Sequence, residues 1–187
     1  LLLLTSVFSY TVTVYAFYFR SYQVEDGLSH NSVWAVMQDS KGFLWFGTND
    51  GLNRFDGVSF KIFRNQDSDS LSIGNNFIHC LKEDSQQRFF VGTKKGLYLY
   101  DANLENFRRV NLNRTKENDA SINALLETPE GYIWVACHGH GLYLLDADLK
   151  VKKHYTKGSG ENGLSNDYIW SVVQDYVGNI WLGTVGD

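Results

Sequence analysis

The sequence has little that stiffens or cross-links a chain: one proline and two cysteines in 187 residues. Two cysteines leave no disulfide framework to carry a fold. Clustered basic residues are missing as well. The net charge is −4, and the most basic groups, Lys94-Lys95, Arg108-Arg109 and Lys150 with Lys152-Lys153, are short and scattered. That excludes the basic surface by which a protein holds nucleic acid or an anionic membrane, so neither is expected as a partner of this region. What is plentiful is aromatic side chains, 15% of the sequence, and glycine, at 17 residues. With almost no proline, they fit short packed strands joined by tight turns.

Residues 1–19 carry no charge at all. A secretory signal peptide has an apolar core followed by a small-residue cleavage site, and Val14-Tyr15-Ala16 places small or aliphatic residues at the −3 and −1 positions. An initiating Met and a basic leader are lacking, so residues 1–16 read as a signal peptide with a truncated start. A membrane-spanning helix needs about 20 apolar residues. The strand expected over residues 17–22 leaves too few for that. Everything downstream of residue 16 is therefore expected outside the cytoplasm.

The rest of the chain repeats itself. The second aromatic of each unit is Trp45, Phe90, Trp134 and Trp181, at intervals of 45, 44 and 47 residues. A period of about 40–50 with four strands per unit points to an all-β fold, a β-propeller of four-stranded antiparallel blades. The units run over about 27–70, 71–117, 118–160 and 161–187, giving three full blades and part of a fourth. In the first, VWAVMQ (33–38) is apolar on both parities, as an inner strand buried on both faces would be. A turn at Asp39-Ser40-Lys41-Gly42 leads to FLWFGT (43–48). Asn49-Asp50-Gly51 makes a hairpin, with Asp-Gly suited to a primed turn. The third strand covers 52–55 and the polar outer strand 59–64. The second unit gives strands at 77–84, 88–93, 96–101 and 105–110, and the third at 121–127, 132–137, 141–146 and 151–156. The fourth offers 163–175 and 179–184.

Equivalent positions explain the cysteines. Cys80 stands where other units have Ala35, Ala124 and Ser171, and Cys137 where they have Thr48, Thr93 and Thr184. Both read as small packing residues in different blades, not as a disulfide. Gly47, Gly92, Ala136 and Gly183 form another small position, beside the large aromatic.

Gly27-Leu28-Ser29, Asn31, Gln38-Asp39, Gly42, Trp45, Gly47-Thr48, Gly51-Leu52 and Phe55-Asp56-Gly57 together resemble the two-component regulator propeller repeat. The fourth unit matches again through Gly163-Leu164-Ser165, Gln174-Asp175, Gly178, Trp181 and Gly183-Thr184. The second unit departs with Gln87 for the turn glycine and Phe90 for Trp. The third has Thr128 for the turn Asp and one inserted residue in Cys137-His138-Gly139-His140-Gly141. In that family such repeats form the N-terminal periplasmic sensor of Bacteroidetes hybrid two-component histidine kinases. Two seven-bladed propellers there precede a tyrosine-rich Ig-like domain, one transmembrane helix, the kinase core, a receiver and a DNA-binding helix-turn-helix. The resemblance implies a sensor region in the periplasm, a parent protein in the inner membrane, a homodimer, and an oligosaccharide as ligand. It also implies that phosphotransfer and membrane contact belong to segments beyond this sequence. Residues Phe19–Tyr22 would be the outer strand that closes the ring. Without the strands it joins, the fragment is expected to expose apolar faces and to aggregate.

Propellers receive ligands at the channel mouth, where inner strands begin. The equivalent positions are His30-Asn31, Asn75-Asn76, Ala120-Ser121 and Asn166-Asp167. His30, Asn31, Asn76 and Asp167 are the ligand-binding candidates, since polar amides suit sugar hydroxyls. The plainer reading is that such residues cap turns. Cys137, His138 and His140 invite a metal reading, but zinc needs three or four converging ligands and the repeat places them in an ordinary hairpin. No metal or other cofactor is expected. His79, where other blades have Trp34, Asn123 and Trp170, reads as packing. Asp39, Gly42 and Trp45 are similar to the Asp box of sialidase propellers, a structural motif. Glycoside hydrolysis needs two carboxylates on one bond, and the mouth positions supply only Asp167, so no catalytic residue is assigned. A secreted propeller enzyme acting on polysaccharide and a scaffold propeller for protein contacts are the alternatives to a sensor. The reading frame that follows separates the three.

Overall fold

The computed structural model describes residues 18–112, 119–158 and 163–186. The signal-peptide expectation for residues 1–16 lies outside them. A 3-10 turn at Val24–Asp26 precedes the first blade. That blade is β1 (Val33–Gln38), β2 (Leu44–Thr48), β3 (Gly51–Phe55) and β4 (Phe60–Phe63). The second is β5 (Ile78–Glu83), β6 (Phe89–Thr93), β7 (Gly96–Asp101) and β8 (Asn106–Arg109). The third is β9 (Ser121–Glu127), β10 (Ile133–His138), β11 (Leu142–Leu145) and β12 (Val151–Tyr155). The last two strands, β13 (Ile169–Gln174) and β14 (Ile180–Thr184), pair as the inner half of a fourth. Each four-stranded sheet is a simple antiparallel meander in chain order. Among the described residues no helix is long and apolar enough to cross a membrane.

Inner strands β1, β5, β9 and β13 lie side by side in that order, so the sheets stack face to face like blades around one axis. Trp45 of β2 is driven into the second blade, its ring 4.5 Å from Phe89 and 5.1 Å from Tyr100. Small residues make room for the next inner strand. A Cβ on Gly47 would come within 2.7 Å of Ile78 Cγ2, and one on Gly92 within 3.0 Å of Ile122 Cγ2. Ala136 meets Ile169 in the same buried cluster at the third joint. The recurring small site thus leaves room for the next inner strand, and at Gly92 and Gly183 also for Cys80 and Ser171 of its own blade.

The turn between the two inner strands is organised by a carboxylate. Asp39 Oδ1 accepts from the Lys41 and Phe43 N–H groups, and Oδ2 accepts from Trp45 Nε1 at 2.8 Å. Asp175 repeats this toward Val177, Asn179 and Trp181. In the second blade the Phe90 ring has no N–H to offer, and Arg88 Nε takes that place on Asp84 at 2.6 Å.

Three expectations are corrected. Residues 18–22 form no strand, and Tyr18 and Phe19 are almost fully exposed. A strand needs a hydrogen-bonding partner, and Tyr22 instead packs its ring on Phe55 and Phe60 at 5.0 and 5.6 Å. Strand β1 is largely solvent-exposed, with Val33, Trp34 and Val36 uncovered, because no sheet lies on the outer side of the first blade among the described residues. Gly51 is not a central residue of its hairpin. It opens β3 opposite Thr48 with φ 120°, and a Cβ there would lie 2.7 Å from the Phe63 carbonyl oxygen.

Candidate functional site at the start of the inner strands

The candidates all lie where the chain enters an inner strand, at one end of the blades, and each is tied into its local connection. His30 Nδ1 accepts from the Ser32 N–H at 2.8 Å, and Asn31 Oδ1 from the Val24 N–H at 2.9 Å. Asn76 Oδ1 accepts from the Asn65 N–H at 2.6 Å while its amide nitrogen donates to Asp50. Asp167 Oδ1 accepts from the Lys157 N–H at 2.6 Å. Asn75 and Asn166 accept from the N–H groups of Phe77 and Tyr168, two residues on. Asn75 and Asn166 show the turn-capping geometry of Asx residues, while Asn31, Asn76 and Asp167 tie together more distant parts of their connections. Among the described residues no hydrogen bond links one candidate to another.

A second set stands near the start of each inner strand. Val33 pairs with Thr48 and Ala35 with Gly47, so Trp34 is an extra residue in the ladder. His79, Asn123 and Trp170 are the extra residues at the same place in β5, β9 and β13. A β-bulge of this kind re-aims a side chain away from the regular alternation. Trp34 stays 54% exposed and Trp170 45% exposed. Trp34 Nε1 donates to Asn49 at 2.5 Å, and its ring lies 5.5 Å from Phe77 and 6.2 Å from His79. Trp170 meets the edge of His138, which also contacts Tyr168. Asn123 Nδ2 donates to the Ile169 carbonyl at 2.8 Å. Two polar atoms here are buried without a hydrogen-bond partner: His79 Nε2 and Asn123 Oδ1. Burial, and then the nearby His138 and Lys94, hold His79 below the ordinary histidine pKa, so it stays neutral near pH 7.

The hairpin residues diverge. His138 turns to Tyr168 and Trp170, His154 Nε2 donates to the His140 carbonyl, and Cys137 Sγ donates to the Val135 carbonyl. Among the described residues no three His, Cys, Asp or Glu side chains are grouped to hold a metal. Cys80 and Cys137 form no disulfide with each other, and burial pushes the Cys80 thiol up to about 12. That suits an inert packing residue.

Stacked meander sheets around one axis, with small residues at every joint, define a β-propeller. The two component regulator propeller model matches this chain three times, over residues 27–50, 116–139 and 163–186. Over these three stretches the chain is similar to the two-component regulator propeller repeat. Among solved structures, the extracellular domain of the hybrid two component system BT3049 from B. thetaiotaomicron superposes with a TM-score of 0.77 at 27% identity. The match covers 89% of this chain and 24% of that one. The corresponding domain of BT4673 from the same organism gives 0.69 at 24% identity, over 81% of this chain and 22% of that one, a likeness of fold. Histidine kinase P4 of Formosa agariphila is 56% identical over 57 residues, which are 30% of this chain and 4% of that protein. The chain thus spans a small part of the relatives it matches.

Proposed function

We propose that this chain is part of the extracytoplasmic sensor of a membrane-bound hybrid histidine kinase. The propeller would receive a ligand, an oligosaccharide on this reading, at the mouth framed by His30, Asn31, Asn76 and Asp167. Ligand recognition alters the geometry of a homodimer, and a kinase elsewhere in the intact protein responds by phosphotransfer. The observation that carries the reading is the superposition on a hybrid-system extracellular domain over 89% of the chain. The repeat match and the histidine kinase relative point the same way. Catalysis is assigned to other segments of the protein, and this region acts by binding.

The test is made on the intact protein in its own cell. Its reading frame should encode an apolar span of about 20 residues and a histidine-kinase phosphoacceptor motif. Removal of the propeller should abolish glycan-dependent transcription while kinase autophosphorylation persists in isolated membranes. A reading frame that stops after the propeller, with no membrane span, overturns the proposal.

A further inference from the structure

Charge is segregated along the propeller axis. Asp39, Asp56, Asp84, Asp101, Asp146 and Asp175 close turns at the end away from the mouth, each accepting from backbone N–H groups. The five histidines lie at the mouth end. His30 precedes β1, His79 is early in β5, His138 and His140 belong to the β10–β11 hairpin, and His154 donates to the His140 carbonyl. The β6–β7 hairpin adds Lys94 and Lys95 at the same end. These two hairpins stand side by side. A Cβ on Gly92, two residues before Lys94, would lie 3.0 Å from Ile122 Cγ2 of β9, and Ile122 pairs with Cys137, next to His138. Carboxylates around them are engaged: Asp50 with Arg64, Asp119 with Arg109, and Asp167 with the Lys157 N–H. Lys94, Lys95 and His138 are exposed, and among the described residues neither lysine has an ion pair. The inner strands of both blades have a neighbour on each side, so this exposure is not that of an uncovered end blade.

We propose that the mouth hairpins of the second and third blades receive an acidic group of the ligand, a carboxylate or sulfate carried by a saccharide. Two ammonium groups and an imidazole N–H suit such oxygens, because a hydrogen bond to an ionised acceptor is stronger than one to a neutral hydroxyl. The carboxylates at the far end repel the same group, so the field of the molecule favours the mouth. Two lysines and a histidine match one or two acidic groups and fall well short of the basic surface that a nucleic acid or an anionic membrane needs. The saccharide part of the assignment rests on the sensing reading, and the acidic part on this distribution of charge. It adds Lys94, Lys95 and His138 to the rim, where the side chains of Asn31, Asn76 and Asp167 are occupied by backbone groups.

The intact protein, in the length its cell makes, is applied to an array of neutral, uronate-bearing and sulfated oligosaccharides. The acidic glycan bound best is then titrated by calorimetry at low and high salt, beside inorganic sulfate. Its affinity should fall as salt rises. Lys94→Gln combined with Lys95→Gln should weaken that glycan about tenfold or more, the size of a lost charge-assisted hydrogen bond, and flatten the salt dependence. Lys41→Gln, in a turn at the far end, should leave affinity unchanged. An array that retains neutral glycans alone overturns the acidic site and leaves the sensing reading standing. So does an acidic glycan held undiminished by the double lysine variant with its melting temperature retained. Inorganic sulfate bound as tightly as the glycan overturns the saccharide assignment. A blank array overturns both the site and the oligosaccharide part of the sensing reading.

Discussion

Asp39 and Trp45 work as one unit, because the carboxylate that closes the turn also satisfies the indole N–H of a side chain only 1% exposed. Replacing Asp39 by Ala leaves that N–H without its acceptor. The propeller should lose about 1–3 kcal/mol of stability, read from denaturant melts of the intact protein. The double variant Asp39→Ala with Trp45→Phe should lose less than the sum of its parts, since the orphaned donor is gone. His79 sets a pH dependence of definite sign. Its folded pKa lies below the ordinary histidine value. As pH falls through about 6.5, the unfolded chain takes up a proton that the folded chain refuses, and stability is lost. His79→Gln should flatten the decline in melting temperature between about pH 7 and 5.5. An equal slope in the variant would assign the decline to other groups.

At the scale of strands and turns, adjacent blades are clasped at the end opposite the mouth. Glu83, ending β5, accepts from the N–H and hydroxyl of Ser40 in the preceding blade at 2.7 and 2.8 Å. Glu127, ending β9, does the same for the N–H and hydroxyl of Ser85. The next joint offers Pro129 and Gln174 at these positions, and proline has no N–H to give. Glu83→Ala should cost about 1 kcal/mol. Installing the missing clasp with Pro129→Ser and Gln174→Glu should raise the melting temperature of the intact protein. An unchanged or lower temperature would mean that packing at that joint does not admit the geometry. The strands themselves were legible from the sequence, mostly to within a residue. Their alternation and the Asp-to-Gly turns are local patterns, and the backbone obeys them locally.

The whole molecule is governed by what covers each blade. Trp45 and Trp181 occupy the same place in the repeat and bond the same kind of carboxylate, yet one is 1% and the other 61% exposed. The difference is the presence of a following blade. Burying one large aromatic contributes about 1.5–3 kcal/mol, and the uncovered surface at the two ends also includes Val33, Val36, Val173 and Val185. Residues 17–187 made alone should therefore self-associate, visible as oligomers or aggregate in light scattering. A monomer with a sharp melting transition would contradict this.

By itself the sequence determined the period, the blade, and the positions where only a small residue fits. These are properties of a repeat, written once per unit and read by comparing units. The bulge in each inner strand was not legible in this way. His79 read as a packing residue, and it does pack against Trp34 and Phe77. Only the register of β5 on β6 makes it the extra residue of its strand, and only burial among neighbouring blades leaves its Nε2 unpartnered. The same holds for β1, whose apolar run promised burial on both faces while, among the described residues, only β5 lies against it. Hydrophobic pattern states what a strand can bury. Whether it does so is decided by the surface placed against it.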